Sequence, residues 1–427
     1  MKNLAFSQNI LNNGLRFINI PTGSINAASV LVLVKAGSRY EYSNLSGIAH
    51  FLEHMFFKGG KKFKSTREIS TAIDGLGGIF NAMTDKEEVG FFIKLPSKKI
   101  EVALDILSDM FLNSKFYQTD IDQEKKVIIE EINMYEDTPM FQTNELLESI
   151  LYKGGSLGRR IIGNRKIIES IKQKDFINFT KQFYFPENIV IVTAGETKNV
   201  NEKMISRFFN FENEGKTPEE FFYKEDQAES RVILKSKDTE QSHFSLGFRM
   251  PEASYHHEDY FKAKILSVIL GEGMSSRMFL SIREEKGLAY RISSSIQSFI
   301  DTGYLDVSAG VDNKQVLMAI KAILFEFQKI RDKKIDEKEL DKSKEYLKGK
   351  LSLGLEESLD VAFFLGRQEI LTNKILNVLD VFKKINDVTA EDIFNLANKR
   401  FIEKGLNIGI IGPVIDEELI RRGLKIG

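Results

Sequence analysis

One glycine-marked pattern occurs twice in this chain, and it constrains the fold more than any other feature. After Gly59-Gly60 the sequence predicts a helix, the turn Gly77-Gly78, two strands and a helix. After Gly271-Glu272-Gly273 it predicts a helix, a turn at Gly287, two strands and a helix. An offset of about 212 residues aligns the two series. The pattern predicts an internal duplication at the scale of a domain, although two α+β domains that merely resemble each other would give the same pattern.

The predicted boundary between the domains lies near the middle of the chain. The stretch 212–230 is polar and contains Gly215 and Pro218, which favour turns and irregular structure. The predicted organisation is a first domain at 1–215, a linker at 216–230 and a second domain at 231–427. A chain of 427 residues is long enough for two such domains.

Charge and cysteine content exclude several kinds of function. The chain has 60 Lys and Arg against 61 Asp and Glu, which argues against a dedicated nucleic-acid binder. It has no cysteine, so any metal must be held by histidine and carboxylate. The N-terminus lacks the apolar run of a signal peptide, and no stretch of about 18 apolar residues predicts a membrane span. The sequence therefore predicts a cytoplasmic protein that binds neither nucleic acid nor membrane.

Two of the five histidines have the spacing of a metal site. His50 and His54 are four residues apart in a predicted helix, so both side chains lie on one face and can reach one ion. Glu53 lies beside that face, where it can approach a water on the metal. The order His-x-x-Glu-His is the inverted form of the commoner zinc helix. The alternative is two surface histidines on an amphipathic helix, but the neighbouring residues are mostly apolar and indicate an interior position.

A catalytic zinc ion takes three protein ligands, and without cysteine the third is expected to be a carboxylate. Glu124 and Glu131 are seven residues apart in a predicted helix, so they lie two turns apart on one face. An acidic helix facing two imidazoles would suit a divalent ion. Taken alone, the same spacing is also that of two solvated helix carboxylates.

The segments His50–Gly59 and Val127–Pro139 resemble the pitrilysin and insulinase type of zinc peptidase, the inverzincins. The resemblance covers nearly the whole chain and is closest to bacterial relatives of the β subunit of the mitochondrial processing peptidase. It implies an α+β fold of two duplicated domains, each a mainly antiparallel sheet packed with helices, which together form half of a clamshell.

The resemblance also implies roles for the acidic residues. One zinc ion per chain would be bound by His50, His54 and Glu131. Glu130, one residue away from the spacing of the family, is the reserve candidate for the third ligand. Glu124 matches the family's glutamate that orients a ligand.

A second resemblance concerns the strand after Gly77-Gly78. It is similar to the edge strand with which this family pairs a peptide substrate, and it implies that Asn81 and Ala82 contact the substrate main chain. Without the resemblance, the segment reads as an ordinary strand after a turn. Further along, Val89, Phe91 and Phe92 replace the family's usual Thr and Tyr, so no hydroxyl contribution is expected from that stretch.

The second half of the chain contains Arg283 and Tyr290, which match the family's Arg and Tyr that bind the substrate near its carbonyl. Donors aimed at a developing oxyanion stabilise the transition state. Active members of the family are built from four such domains, whereas this chain has two. The resemblance therefore implies a homodimer with shared active sites, in which Arg283 and Tyr290 of one copy act at the zinc of the other.

The function predicted from the sequence is that of a zinc metalloendopeptidase that hydrolyses unstructured peptides in a closed chamber. Glu53 would take a proton from the water and pass it to the leaving amine. One alternative is a non-catalytic scaffold or partner-binding subunit similar to processing peptidases, although the metal residues that such subunits lose are present. Another is a peptide-binding module that holds zinc structurally, which would require four protein ligands.

Overall fold

The structure is a computed structural model that describes residues 2–23, 26–211, 213–215, 222–224, 227–413 and 416–426. In this part of the chain the strands are β1 (Ser7–Ile10), β2 (Arg16–Pro21), β3 (Ala27–Val34), β4 (Ile79–Thr84), β5 (Val89–Pro96), β6 (Ile189–Gly195), β7 (Arg231–Ser236), β8 (Gln241–Arg249), β9 (Ala289–Ser298), β10 (Gly303–Asp312) and β11 (Leu406–Gly412).

The α-helices of the same residues are α1 (Ile48–Phe56), α2 (Thr66–Asp74), α3 (Ile100–Asn113), α4 (Gln118–Asp137), α5 (Pro139–Leu151), α6 (Arg165–Ser170), α7 (Gln173–Phe183), α8 (Glu202–Phe208), α9 (Tyr260–Gly271), α10 (Val316–Asp332), α11 (Glu337–Gly354), α12 (Ser358–Thr372), α13 (Val378–Asn386), α14 (Ala390–Arg400) and α15 (Glu417–Gly423). Among the described residues, no helix combines the length and the apolar character needed to cross a membrane.

The chain forms two compact units, and each unit draws on both halves of the sequence. The first lies within Met1–Asn133, Arg159–Phe221 and Ser352–Leu379, and the second within Met134–Gly158, Phe222–Leu351 and Asp380–Gly427. Helix α12 packs on β3 and β6 of the first unit, whereas α5 packs on β8 and β11 of the second. The continuous domains at 1–215 and 231–427 stay a prediction, and residues 216–221 and 225–226 of the predicted linker lie outside the described residues.

The first unit is built on a six-stranded sheet with the order β1-β2-β6-β3-β5-β4. Strands β2 and β6 run parallel, and all other neighbours run antiparallel. Central β3 is apolar along almost its whole length because helices α3 and α12 both pack on it. Gly366 allows the close approach of α12, since a Cβ there would lie 2.8 Å from Leu33 Cδ1. Strand β4 is left at the edge of this sheet.

The second unit repeats this topology in a five-stranded sheet with the order β7-β11-β8-β10-β9. Here β7 and β11 run parallel, and the other neighbours run antiparallel. Strand for strand the order matches β2-β6-β3-β5-β4, and α9 takes the place of α1 in the element order. The helix expected after Gly273 is a π-helical segment, Phe279–Glu284. The predicted α+β class with two mainly antiparallel sheets is confirmed.

Candidate metal centre

Helix α1 carries the predicted metal motif and owes its orientation to its apolar face. Six of its nine residues are buried: Ile48, Ala49, Phe51, Leu52, Met55 and Phe56. The ring of Phe56 stacks on Phe111 with 5.1 Å between centroids. This packing turns His50, Glu53 and His54 to the opposite, partly exposed face.

Three side chains from two helices converge on that face. The Nε2 atoms of His50 and His54 lie 3.7 and 3.6 Å from Oε2 of Glu131 on α4. One ligand atom from each residue lies within 4.8 Å of the others. Two imidazole nitrogens and one carboxylate oxygen are donors that zinc accepts, and three protein ligands leave a position for water. The group therefore fits a catalytic zinc ion, whereas the reserve candidate Glu130 is exposed and lies outside this group.

Glu124 contacts the second histidine from the same helix, α4. Its Oε1 lies 2.9 Å from Nδ1 of His54, and its other oxygen forms an ion pair with Lys58. Burial alone would raise the pKa of Glu124, but the hydrogen bonds with His54 and Lys58 lower it below its usual value. A carboxylate on Nδ1 keeps the proton on that nitrogen and leaves Nε2 free to bind a metal.

The two imidazoles differ in their electrostatic surroundings. Burial, together with the neighbouring His54, lowers the pKa of His50 to about 3, so this ring is neutral at neutral pH. Burial would also lower the pKa of His54, but the hydrogen bond with Glu124 and the charge of Glu53 raise it. A neutral ring is the form that binds zinc, because a protonated nitrogen has no lone pair to offer.

Glu53 lies beside the three candidate ligands and is held by a residue of the edge strand. The hydroxyl of Thr84, the last residue of β4, donates to Oε2 of Glu53 at 2.5 Å. Burial raises the pKa of Glu53, although the hydrogen bond from Thr84 opposes this effect. A raised pKa brings a carboxylate closer to neutral pH, where a general base is most effective.

The predicted substrate strand lies at the edge of the first sheet. Within the described residues, β4 pairs with β5 alone, with Asn81 opposite Phe92 and Ala82 opposite Phe91. The backbone groups on its other side are therefore available to a further strand. Ile79, at the start of β4, has a side chain that is 60% exposed. Asn81 also accepts a hydrogen bond at its Oδ1 from the backbone N–H of Ala82.

Arg283 and Tyr290 lie together in the second unit. The guanidinium carbon of Arg283 is 5.7 Å from the centre of the Tyr290 ring and 4.7 Å from that of Phe279. Tyr290 is 78% exposed. Both residues line an open cavity of about 400 Å³, next to Gln241 and Gln315. The structure thus brings the predicted pair together and leaves both side chains accessible.

Two contacts of this centre were missed by the sequence interpretation. Lys58 is four residues after His54, so helical spacing alone places it near the same face, where it pairs with Glu124. Thr84 is separated from Glu53 by a helix and a turn, and only the pairing of β4 with β5 brings its hydroxyl to that carboxylate.

The motif on α1, completed by a glutamate from a second helix, is the pattern of zinc peptidases with an inverted zinc helix. Comparison with protein families identifies which group of zinc peptidases the chain resembles. Residues 18–165 match the family described as insulinase (peptidase family M16), and residues 170–347 match the peptidase M16 inactive domain. The chain belongs to the insulinase family, and the predicted membership is confirmed.

Relatives of this chain cover nearly its whole length. An uncharacterized zinc protease of Bacillus subtilis, YmxG, is 34% identical over 392 residues, which is 92% of this chain and 94% of the relative. An uncharacterized zinc protease of Mycobacterium leprae is 30% identical over 422 residues, 97% of this chain and 94% of the relative. The crystal structure of a protease from Helicobacter pylori has a TM-score of 0.89 at 25% identity and covers 96% of this chain and 100% of that one.

Proposed function

We propose that the protein is a zinc metalloendopeptidase. The observation that carries the proposal is the convergence of His50, His54 and Glu131 within 4.8 Å, next to the partly buried carboxylate of Glu53. A zinc ion bound there would polarise the scissile carbonyl and make its water acidic enough to deprotonate near pH 7. The relatives named as zinc proteases support the same reaction class.

Glu53 is proposed as the general base and acid. Its Oε2 accepts from Thr84, which leaves Oε1 to take the proton of the attacking water and to pass it to the leaving amine. The bond from Thr84 fixes the direction of the carboxylate, so that little reorganisation is needed during the reaction.

Unstructured peptides are the proposed substrates. The free edge of β4 can hold an extended segment through backbone hydrogen bonds at Asn81 and Ala82, and such pairing needs a segment whose own backbone groups are unpaired. A closed chamber, as the family resemblance implies, would add a size limit against folded proteins. Cleavage of a short peptide but not of a folded protein that contains the same segment is the expected result.

A homodimer with shared sites is proposed from the accessible pair Arg283 and Tyr290. In this arrangement the pair of one copy binds the substrate carbonyl at the metal centre of the other. Mixed dimers of Glu53→Gln with Arg283→Ala/Tyr290→Phe test it, because one intact site forms in each mixed dimer if the sites are shared. About half of the wild-type activity per dimer is expected, and uniformly inactive mixed dimers would contradict sharing.

The reaction itself is tested by zinc content and cleavage of a fluorogenic peptide. Glu53→Gln should retain about one zinc per chain and lose about 10²–10⁴-fold in turnover, the usual contribution of a general base. Glu130→Gln is the matched control, since it makes the same change on an exposed carboxylate next to Glu131 and should leave both readouts unchanged. Equal cleavage by wild type and Glu53→Gln would defeat the mechanism.

The alternative is a non-catalytic subunit that binds peptides without cleaving them. The match of residues 170–347 to a domain described as inactive favours such a role for the second half of the chain. Wild type that binds the peptide and one zinc per chain, yet leaves the peptide intact as a homodimer, would support this alternative.

A further inference from the structure

The metal helix α1 begins without a capping side chain of its own. Its N-cap residue is Gly47, with φ of 99°, in the left-handed region that glycine tolerates best. A Cβ at this position would lie 2.8 Å from the carbonyl oxygen of Ile162 and 2.9 Å from Cα of Gly163. The Ser, Thr, Asp or Asn that usually cap a helix are therefore sterically excluded here.

Glu41 supplies the missing acceptor from outside the helix. Its Oε2 accepts from the backbone N–H of Gly47 and its Oε1 from that of Ala49, each at 2.9 Å. The residue is only 4% exposed. Burial raises the pKa of Glu41 to about 8, while the two backbone hydrogen bonds and Arg159 oppose this shift. Burial of a carboxyl group is costly unless its oxygens are hydrogen-bonded, and here both oxygens accept from the start of α1.

The two histidine ligands of α1 are supported in different ways. The ring of His54 is held by Glu124 at Nδ1. The Nδ1 of His50 is buried and, among the residues that the structure describes, has no hydrogen-bond partner. The placement of His50 therefore depends on its backbone and packing. That backbone follows directly after Ala49, whose N–H is bound by Glu41.

We infer that Glu41 is a positioning residue of the metal centre, which sets the start of α1 and thereby the place of His50. The inference rests on the proposed zinc site. Glu41 is not one of the candidate ligands, and it acts on His50 through its hydrogen bonds with the backbone of Gly47 and Ala49. It does for His50 what Glu124 does for His54, but through the main chain instead of the ring.

The test compares two isosteric substitutions of buried carboxylates in the same unit. Glu41→Gln exchanges one acceptor oxygen for an amide group, which cannot accept from a backbone N–H. Glu88→Gln makes the same change at a carboxylate that is 1% exposed and pairs with Arg367 on α12. Zinc affinity is measured by competition with a chromophoric chelator, and thermal unfolding of the metal-free proteins is measured in parallel.

Glu41→Gln should bind zinc about 10–100-fold more weakly than wild type, the range found when a residue that orients a ligand is lost. Glu88→Gln should bind zinc as tightly as wild type, even if its unfolding temperature falls as much as that of Glu41→Gln. The cobalt-substituted proteins give a second readout, since displacement of His50 alters the visible spectrum of Co²⁺ in Glu41→Gln and not in Glu88→Gln. If Glu41→Gln does not fold, Glu41→Asp, which keeps both acceptors on a shorter stem, takes its place with the same expectation.

Two results overturn the inference. One is zinc affinity of the Glu41 variant within twofold of wild type, and the other is an equal loss of affinity in Glu41→Gln and Glu88→Gln. If instead wild type itself binds no zinc, the proposed function fails together with the inference. Wild type that binds zinc and cleaves peptides, with an unaffected Glu41 variant, leaves the proposed function standing and removes only the role of Glu41.

Discussion

Helices α1 and α9 occupy equivalent places next to two sheets of the same topology, yet the side chains on their corresponding faces differ. In α1, the rings of His50 and His54 lie beside the carboxylate of Glu131. At the positions aligned with His50, Glu53 and His54 by the offset of about 212 residues, α9 carries Lys262, Ile265 and Leu266. Within the described residues, the group that could hold a metal is built on α1 and α4, and no residue of α9 takes part in such a group.

In α9 the corresponding face is part of the core. Ile265 and Leu266 are fully buried, and α14 packs against this helix. Lys262 pairs with Asp259 and, on α14, with Asp392. The comparison shows that the scaffold does not by itself create a metal centre. The centre needs two histidines on an open face of α1 and a carboxylate from α4. At the aligned positions of α9, Ile265 and Leu266 are core residues and Lys262 forms ion pairs.

The largest effect is expected when α1 is made to resemble α9. His54→Leu introduces the residue found at the aligned position and removes a candidate ligand. The loss of zinc affinity should exceed the 10–100-fold that follows from loss of an orienting residue. Zinc per chain after dialysis and the rise in unfolding temperature on adding zinc measure this, because a bound ligand stabilises the folded state.

His256→Leu is the control for that experiment, since it removes an exposed histidine of the second unit. It should keep one zinc per chain. One zinc per chain in His54→Leu would show that the metal is bound at another place.

The converse change, Ile265→Glu, gives α9 the acidic residue of α1. The side chain is fully buried, so the new carboxylate would be unpaired in the core. A fall in the free energy of unfolding of about 3–5 kcal/mol is expected, typical of an uncompensated buried charge. Urea unfolding measures it, and Ile265→Val, which costs about 0.5–1.5 kcal/mol, is the reference. A loss no larger than that of the valine variant would mean that this face of α9 is open to solvent.

These two helices also show how far the sequence could be read. The spacing of His50 and His54 predicted their shared face, because helical periodicity is a local property. Fold class followed from the repeated order of helices, turns and strands. Glu131 was reached through the family resemblance, since the carboxylates of a helix look alike until another helix packs against them.

What the sequence could not show are contacts set by tertiary pairing. The hydroxyl of Thr84 meets Glu53 because β4, at the edge of the sheet, lies against α1, and Glu41 bonds to the start of α1 from the preceding loop. The sequence also gives no local sign that α5, from the first half of the chain, packs in the second unit. The same is true of α12, which comes from the second half and packs in the first unit. Which sheet each of these helices covers depends on the path of the whole chain.

Two buried carboxylates, one in each unit, predict opposite dependences on pH. Burial alone would raise the pKa of Glu252, but hydrogen bonds from Arg400 and Lys399 lower it to about 2. Burial raises the pKa of Glu88 to about 7, despite Arg367. The stability from Glu252 is thus present above its ordinary pKa of 4.5 and is lost as pH falls toward 2. The stability from Glu88 is present below pH 4.5 and is lost as pH rises through 7.

Glu252→Gln should therefore lower the free energy of unfolding by about 1–3 kcal/mol at pH 7, with the difference from wild type shrinking below pH 4.5. Glutamine imitates the protonated carboxyl, so Glu88→Gln should instead gain stability relative to wild type as pH rises from 4.5 through 7. Urea unfolding across this range measures both. Parallel pH profiles of the two variants would contradict the assignment of opposite shifts.

The smallest effect is expected at Lys262, and the same substitution at the aligned His50 is its reference. Lys262→Met keeps the length of the side chain and removes the charge that pairs with Asp259 and Asp392. Because Lys262 is partly exposed, the free energy of unfolding should fall by only about 0.2–1 kcal/mol, and by less in 1 M salt. His50→Met should change the stability of the metal-free protein little but abolish the stabilisation by zinc. If Lys262→Met and His50→Met respond to zinc alike, the two helices do not differ in the way that their side chains indicate.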